Sequence, residues 1–416
     1  MSLLEEKGRA AAAKPVDQQT LVDMDVIGCP YHTYKKLRDE APVYMDPAGF
    51  YVVTRYDDIY KALKETAIFS SDSLVPREEY IRPVQYGGMP MTDTMITSDP
   101  PRHRFLRGPL NKLFSLSRVN QMEAYVQQIV DELIDRFIDK GECDFVKDFT
   151  VPLPMIVIAD QLGVTRDDLP SFSRWSDAFA TLISGFATED DNIHAAKQIV
   201  EMQQYFLKVI PVKRLNPTND VISDLVQAKM EDGEPMKDVD ILSSIHLLLT
   251  AGNETTTNSM SLAMRALIEN PSQMQALRDD PSLVTGFVEE SLRFDGPVQG
   301  LMRRATCDTE IAGVKIPKDS LVSLRFGSGN RDETKYPKAD ELNVCRKDDV
   351  VHLAFGQGTH TCLGASLARK EIDLTFRTVL RRMKNIRFRD PGVEMVYERN
   401  ICLRSLKNLH IKFDKA

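Results

Sequence analysis

The sequence predicts a mainly α-helical protein with small β-sheets. Three observations predict it. Residues 239–270 carry one long helical pattern, stopped by Asn270-Pro271. Residues 102–139 and 154–210 repeat the helical period. The strand-like stretches, such as "GFYVV" and "TEIAGVKIPKDSLVSLR", are short and far apart.

The elements follow in order. "PVYMDPAGFYVVTRYDDIYKALKE" reads as a hairpin turning at Asp46–Gly49, then a helix from near Asp57. Residues 70–98 are rich in Pro, Gly and Ser and read as a long loop, a type often functional. A helix is predicted from Arg102 to about Asp139, and "GECDFVKDFTVPLP" reads as extended. Residues 154–210 are helical with breaks near Gly163 and Gly185. The segment 239–270 would span about 48 Å as one helix, enough to cross a whole domain. Another helix runs from about Pro281 to Phe294, and a last one over roughly Leu363–Met383. With no repeat or linker, residues 18–416 read as one domain.

Composition narrows the function. The 416 residues are 42% hydrophobic and 27% charged, as in ordinary globular proteins. A net charge of −8 makes the chain a poor candidate for nucleic-acid binding. No apolar run approaches the roughly 18 residues of a membrane span. The opening "MSLLEEKGRAAAAKPVDQQ" lacks the apolar core of a secretory signal, so a cytoplasmic protein is expected. Residues 1–17 are expected to be loosely ordered, with Met1–Leu3 as a cloning scar. The six cysteines form no CxxC pair and are expected to be free thiols.

Two strings stand out. "HLLLTAGNETTTNSM", residues 246–260, puts Gly, Asn and three threonines at the centre of the long helix. Each is a poor helix former, costing roughly 0.5–1 kcal/mol relative to Ala. On its own this is a weak turn tolerated through packing. "FGQGTHTCLGASLARKE", residues 355–371, bends a loop on glycines and sets Cys362 just before a helix start. The positive end of the helix dipole and unpaired N–H groups favour thiolate there, the form that binds metal. A lone cysteine in such a place is usually structural. The Gly356–Gly358 pair does not complete a dinucleotide loop, because the third glycine position holds Thr361.

The second string resembles the haem-ligand loop of the cytochrome P450 family at every motif position: Phe355, Gly356, Gly358, His360, Cys362 and Gly364. The resemblance implies that fold, with haem b (iron protoporphyrin IX) between the long central helix and the cysteine-loop helix. Cys362 is then the axial thiolate of the iron. "AGNETTT" resembles the family's oxygen-binding groove. There Ala251 and Gly252 leave room, and Glu254 and Thr255 manage protons for dioxygen activation. Thr255 can also bond back to the Ala251 carbonyl and bend the helix. "SDPPRHRFLRG" resembles the helix that supplies His103 and Arg107 to the haem propionates. Arg303 and His360 complete that set, with Arg304 an adjacent competitor. Glu290-x-x-Arg293 resembles the family's buried pair, joined by Arg346. Leu342 replaces the usual aromatic of that later motif.

The resemblance implies a monooxygenase of the soluble bacterial branch, a monomer that inserts one oxygen atom into an organic substrate. Two NAD(P)H electrons would come through a separate ferredoxin and its reductase. Residues 101–122 hold Arg102, Arg104, Arg107, Lys112 and Arg118 and no acid, a basic patch suited to an acidic redox partner. By the same resemblance Met95, Ile96, Leu247, Thr250, Val298, Gln299, Leu301 and Ile401 line the substrate pocket. Most are apolar, which suits a small to medium hydrophobic substrate. A peroxide-driven peroxygenase, a non-oxidative haem-thiolate enzyme and a non-catalytic haem-binding protein stay open.

Overall fold

The computed structural model describes residues 3–72, 75–111, 114–229, 233–347, 350–392 and 394–416. Its axis is the helix Asp238–Glu269, 32 residues without a break. The helix survives its poor central turn because the hydroxyls there bond along the helix or across to neighbours. Thr255 Oγ1 donates to Ala251 O at 2.8 Å, and Ser259 Oγ donates to Thr255 O at 2.8 Å. Thr257 Oγ1 crosses to Thr150 O at 2.8 Å. Asn270 ends the helix, as the sequence predicts, and Pro271 opens a further helix, Pro271–Asp279, that the sequence does not predict.

Helices pack on both halves of this axis. Around its C-terminal half, the helices Glu123–Asp135, Val284–Phe294 and Ala365–Arg382 bury one apolar cluster. Around its N-terminal half, Pro152–Leu162, Leu169–Leu182, Glu189–Leu215 and Val221–Gln227 bury a second, centred on Trp175 and Phe206. A five-stranded sheet stands to one side. Its order is Val43–Asp46, Phe50–Val53, Leu321–Leu324, Leu301–Ala305 and Phe69–Ser70. Only the Phe50–Val53/Leu321–Leu324 pair is parallel. Among the described residues, three-stranded and two-stranded sheets complete the β structure.

Several expectations need correction. The segment from Arg102 to Asp139 is not one helix. It forms Arg102–Asn111, Leu116–Gln121 and Glu123–Asp135, and Ser115 is extended at the first break. Only Glu142–Asp144 of "GECDFVKDFTVPLP" is a strand. Val146–Thr150 winds as a π-helix that buries Val146, Phe149 and Thr150, and Phe149 stacks on Phe145. The loop 70–98 contains helical turns at Arg77–Ile81 and Arg82–Tyr86. The expected loose N-terminus is a helix, Leu3–Ala12. Ala11 is buried, and a Cβ on Gly8 would lie 2.7 Å from Cys29 O. The missing side chain is what lets this helix dock.

Candidate functional site

The Cys362 loop is shaped by two left-handed glycines, Gly356 at φ 63° and Gly358 at φ 70°. A Cβ on Gly358 would also meet Leu63 O at 3.0 Å. Cys362 N donates to Phe355 O at 2.8 Å, which folds the loop back on itself. The sulfur then lies just before the helix Ala365–Arg382. Burial pushes the Cys362 thiol pKa up, while the N–H groups of Gly364 and Ala365 and the charges of Arg107 and Arg369 pull it down.

Cys362 opens onto a large cavity between this loop and the central helix. Its atom-free volume is about 1410 Å³, counting the open mouth. Ala251, Gly252 and Thr255 form part of the wall on the central helix. Gly252 lies near Ile158, where a Cβ would sit 3.4 Å from the Ile158 Cδ1. A Cβ on Gly364 would meet nothing within 4 Å. Both glycines keep the walls thin.

A cationic corner closes one edge. Arg107, Arg303 and His360 line the cavity, and His103 stacks edge-on behind His360 with ring centroids 4.6 Å apart. Arg303 is buried, and burial pushes its guanidinium down to about 10, with Asp99 the one opposing charge. His360 is pushed down to about 3 by burial and then by Arg303, His103 and Arg107. Its Nε2 meets Ser71 Oγ at 2.9 Å. His103 is buried, and neither ring nitrogen has a hydrogen-bond partner among the described residues. Such a corner is under-neutralised and calls for an anion.

A thiol at a helix start, a thin opposite wall and an anion-seeking corner share one cavity. The family model for cytochrome P450 matches residues 167–413. The chain belongs to the cytochrome P450 family. It is 35% identical over 354 residues to a steroid C26-monooxygenase of Mycobacterium tuberculosis, covering 85% of this chain and 86% of that one. The structure of cytochrome P450 CYP109Q5 from Chondromyces apiculatus superposes with a TM-score of 0.85 at 32% identity, covering 97% and 100% of the two chains. CYP109E1 from Bacillus megaterium, in complex with testosterone, superposes with a TM-score of 0.80 at 32% identity, over 92% and 99%. The protein is a bacterial P450 monooxygenase, and its cofactor is haem.

The residues of this P450 fit that group. The orphaned His103 nitrogens, the buried Arg303 with Asp99 as its opposing charge and the side-chain-free Gly364 wall match a flat macrocycle with two carboxylates. Of the predicted site residues, Met95, Ile96, Arg107, Leu247, Ala251, Thr255, Val298, Leu301, Arg303, Phe355, Gly356, His360, Cys362 and Gly364 all line the one cavity. Arg304 turns elsewhere, donating to Asp72 O and Asp319 O. Glu254 is half-buried and does not line the cavity. Burial raises its carboxyl to about 7, helped by the neighbouring charges of Asp177 and Glu398.

Three predicted pocket residues do not line the cavity. Thr250 Oγ1 is spent on His246 O at 3.1 Å. Gln299 Nε2 bonds to Gly296 O at 2.8 Å, and Gln299 N bonds to Cys402 O at 2.8 Å. Ile401 packs instead with Leu403 and the N-terminal apolar cluster. The predicted structural network is present. Glu290 accepts from Arg293 at 2.7 and 2.8 Å and lies 3.0 Å from Arg346 Nε. The basic patch is smaller than its composition suggests. Arg102 is paired with Asp240 and Arg107 faces the cavity, while Lys112 lies outside the described residues.

Sequence reasoning missed Asp99, Ser71 and Glu371. Ser70 Oγ and Ser71 N donate to Asp99, 4.0 Å from His360 Nε2, where the loop 70–98 meets the site. Glu371 is fully buried on the cavity wall, its Oε2 without a partner, and burial pushes its carboxyl up to about 8. Its place nine residues after Cys362 in the same string was the available signal.

Proposed function

We propose that the protein oxygenates a hydrophobic, uncharged organic substrate of small to medium size, with electrons from NAD(P)H through a separate ferredoxin system. The observation that carries this reading is the cavity wall. Away from the cationic corner and from the buried Glu371 it is made of Met95, Ile96, Val157, Leu247, Val298, Leu301 and similar side chains, with no other acid or base among the described residues to hold a charged group. Its apolar area favours burial of apolar substrate surface at about 25 cal/mol per Å².

Cys362 would hold the haem iron through its sulfur, and it is itself held by its helix start and by the bond from its N–H to Phe355 O. Arg107, Arg303, His103 and His360 are the proposed propionate holders. Haem bound there supplies the activation of dioxygen and the transfer of one oxygen atom. Thr255 commits its own proton to Ala251 O, so its oxygen lone pairs are free to accept from a water in the cavity. Glu254, poised near neutral pH, holds a proton on the side of the helix that faces Asp177 and Glu398. From there it hands protons inward through water. The similarity to a steroid C26-monooxygenase and to a P450 bound to testosterone supports a rigid polycyclic substrate class. Residues 18–416 act as one catalytic domain in a cytoplasmic monomer. Among the described residues no helix is long and apolar enough to cross a membrane.

The test is a spin-state titration with a panel of steroids, terpenoids, aromatics and fatty acids, followed by turnover of the binders. Ferredoxin, reductase and NADH are expected to yield product, and peroxide alone much less. Efficient turnover with peroxide alone would overturn the reading in favour of a peroxygenase.

A further inference from the structure

A charged cluster lies behind the cysteine loop, and none of its members lines the cavity. Glu289, on the helix Val284–Phe294, accepts a two-armed bond from Arg369 on the helix Ala365–Arg382. The distances are 2.7 Å from Nε and 2.9 Å from Nη2. His352 Nε2 lies 3.2 Å from the same carboxylate. The other ring nitrogen, Nδ1, accepts from Ala354 N at 3.2 Å. A nitrogen that accepts carries no proton, so in the neutral ring the proton sits on Nε2, facing Glu289. Burial pushes the Glu289 carboxyl up, but His352 and Arg369 outweigh it and bring it down to about 2. Glu289 is therefore an anion at neutral pH, held between the Arg369 guanidinium and His352 Nε2.

Both partners grip Phe355. The Arg369 guanidinium lies 4.5 Å over its ring, and the His352 ring is 5.6 Å away, tilted by 44°. Phe355 in turn faces the cavity, and its carbonyl accepts the Cys362 N–H. The charge of Arg369 also reaches the sulfur, where it favours thiolate. Surface ion pairs usually contribute little, but this one touches the loop that presents the sulfur. Glu290, the next residue, is spent on the separate network with Arg293 and Arg346.

We propose that Glu289 is a positioning residue that sets how strongly the Cys362 sulfur donates electron density to bound iron, by holding Arg369 against Phe355 and neutralising its charge. The inference rests on the proposed role of Cys362 as the residue that would hold the haem iron. Groups around a ligating sulfur tune the potential of its metal through charge and hydrogen bonding. Without the carboxylate, the Arg369 charge stands uncompensated beside the sulfur and favours the reduced iron. Without Arg369, the unpaired Glu289 anion favours the oxidised iron. With both removed, the two effects cancel.

The test is spectroelectrochemical titration of the holoenzyme and of Glu289→Gln, Arg369→Gln and the double variant, with the ferrous–CO spectrum of each. Glu289→Gln is expected to raise the reduction potential by a several-fold change in the ferric/ferrous ratio, where tenfold corresponds to about 59 mV. Arg369→Gln is expected to lower it, and the double variant to return toward wild type. Glu289→Asp, which keeps the charge, should restore part of the wild-type value. All should keep the thiolate CO band. Unchanged potentials, or shifts of the same sign in both single variants, would overturn the proposal. So would loss of the thiolate band in Glu289→Gln, which would make the cluster a structural clamp only. A wild-type enzyme without that band would instead remove the ligand assignment on which the proposal rests.

Discussion

Replacing Glu254 with Gln tests the proton-supply account. The carboxyl is raised from 4.5 to about 7 by burial and by the charges of Asp177 and Glu398. That shift corresponds to about 3 kcal/mol at 1.36 kcal/mol per unit, an upper bound because the residue is partly exposed. The sign follows from the ionised form being the disfavoured one in the fold. The penalty is absent below the unfolded value, grows as pH rises, and is complete once pH passes the folded value. Glu254→Gln should therefore stabilise the protein at pH 8 and leave it little changed at pH 4. For catalysis the protonated fraction matters. With a pKa near 7 it falls from about 90% at pH 6 to about 10% at pH 8. Coupled product formation by the wild type should fall across that range. The variant should be slower, by about 10²-fold as a typical general-acid contribution, and nearly flat with pH. The assay is product formed per NADH consumed from pH 6 to 8, with chemical denaturation in parallel. A Glu254→Gln enzyme with the wild-type rate and the wild-type slope would refute the reasoning.

Other outcomes follow from the same geometry. Thr255→Ala removes the hydroxyl bonded to Ala251 O and should uncouple NADH use from product, read as excess NADH oxidation and peroxide release. Glu290→Gln leaves two guanidinium groups, Arg293 and Arg346, without their buried anion. It should cost about 3–5 kcal/mol, seen as earlier loss of the haem absorbance in a urea titration. Arg303→Ala removes a buried cation from the anion-seeking corner and should speed haem transfer to apomyoglobin, with Arg304→Ala close to wild type.

Much of the fold was legible because its signals are local. The long helix is read from its period and its Asn-Pro stop, even though Gly252 and Thr255–Thr257 argue against a helix. Their hydroxyls satisfy nearby carbonyls, so the propensity cost is offset inside the structure. The π-helix at Val146–Thr150 was not legible, since Thr150 is held by distant partners on the central helix, its hydroxyl meeting Ser261 and its carbonyl accepting from Thr257. The site showed the same division. Cys362 and its glycines form one contiguous string, whereas His103, Arg303 and Asp99 meet only after the chain has folded. Ile401 and Gln299 illustrate the limit of analogy. Their segments arrive at the cavity's edge, but their side chains turn into neighbouring apolar and backbone contacts. Glu371 escaped notice because only burial reveals it. A carboxylate in a helix reads as a surface residue until the fold closes over it.

The central claim is that Cys362 presents a thiolate to haem iron across this cavity. The most direct measurement is the absorption spectrum of the ferrous–CO complex, taken for the wild type and for Cys362→Ser. The wild type should show the red-shifted Soret band of a thiolate ligand, and the variant should bind haem without it. A red-shifted band that persists in Cys362→Ser, or one absent from the wild type, would contradict the account.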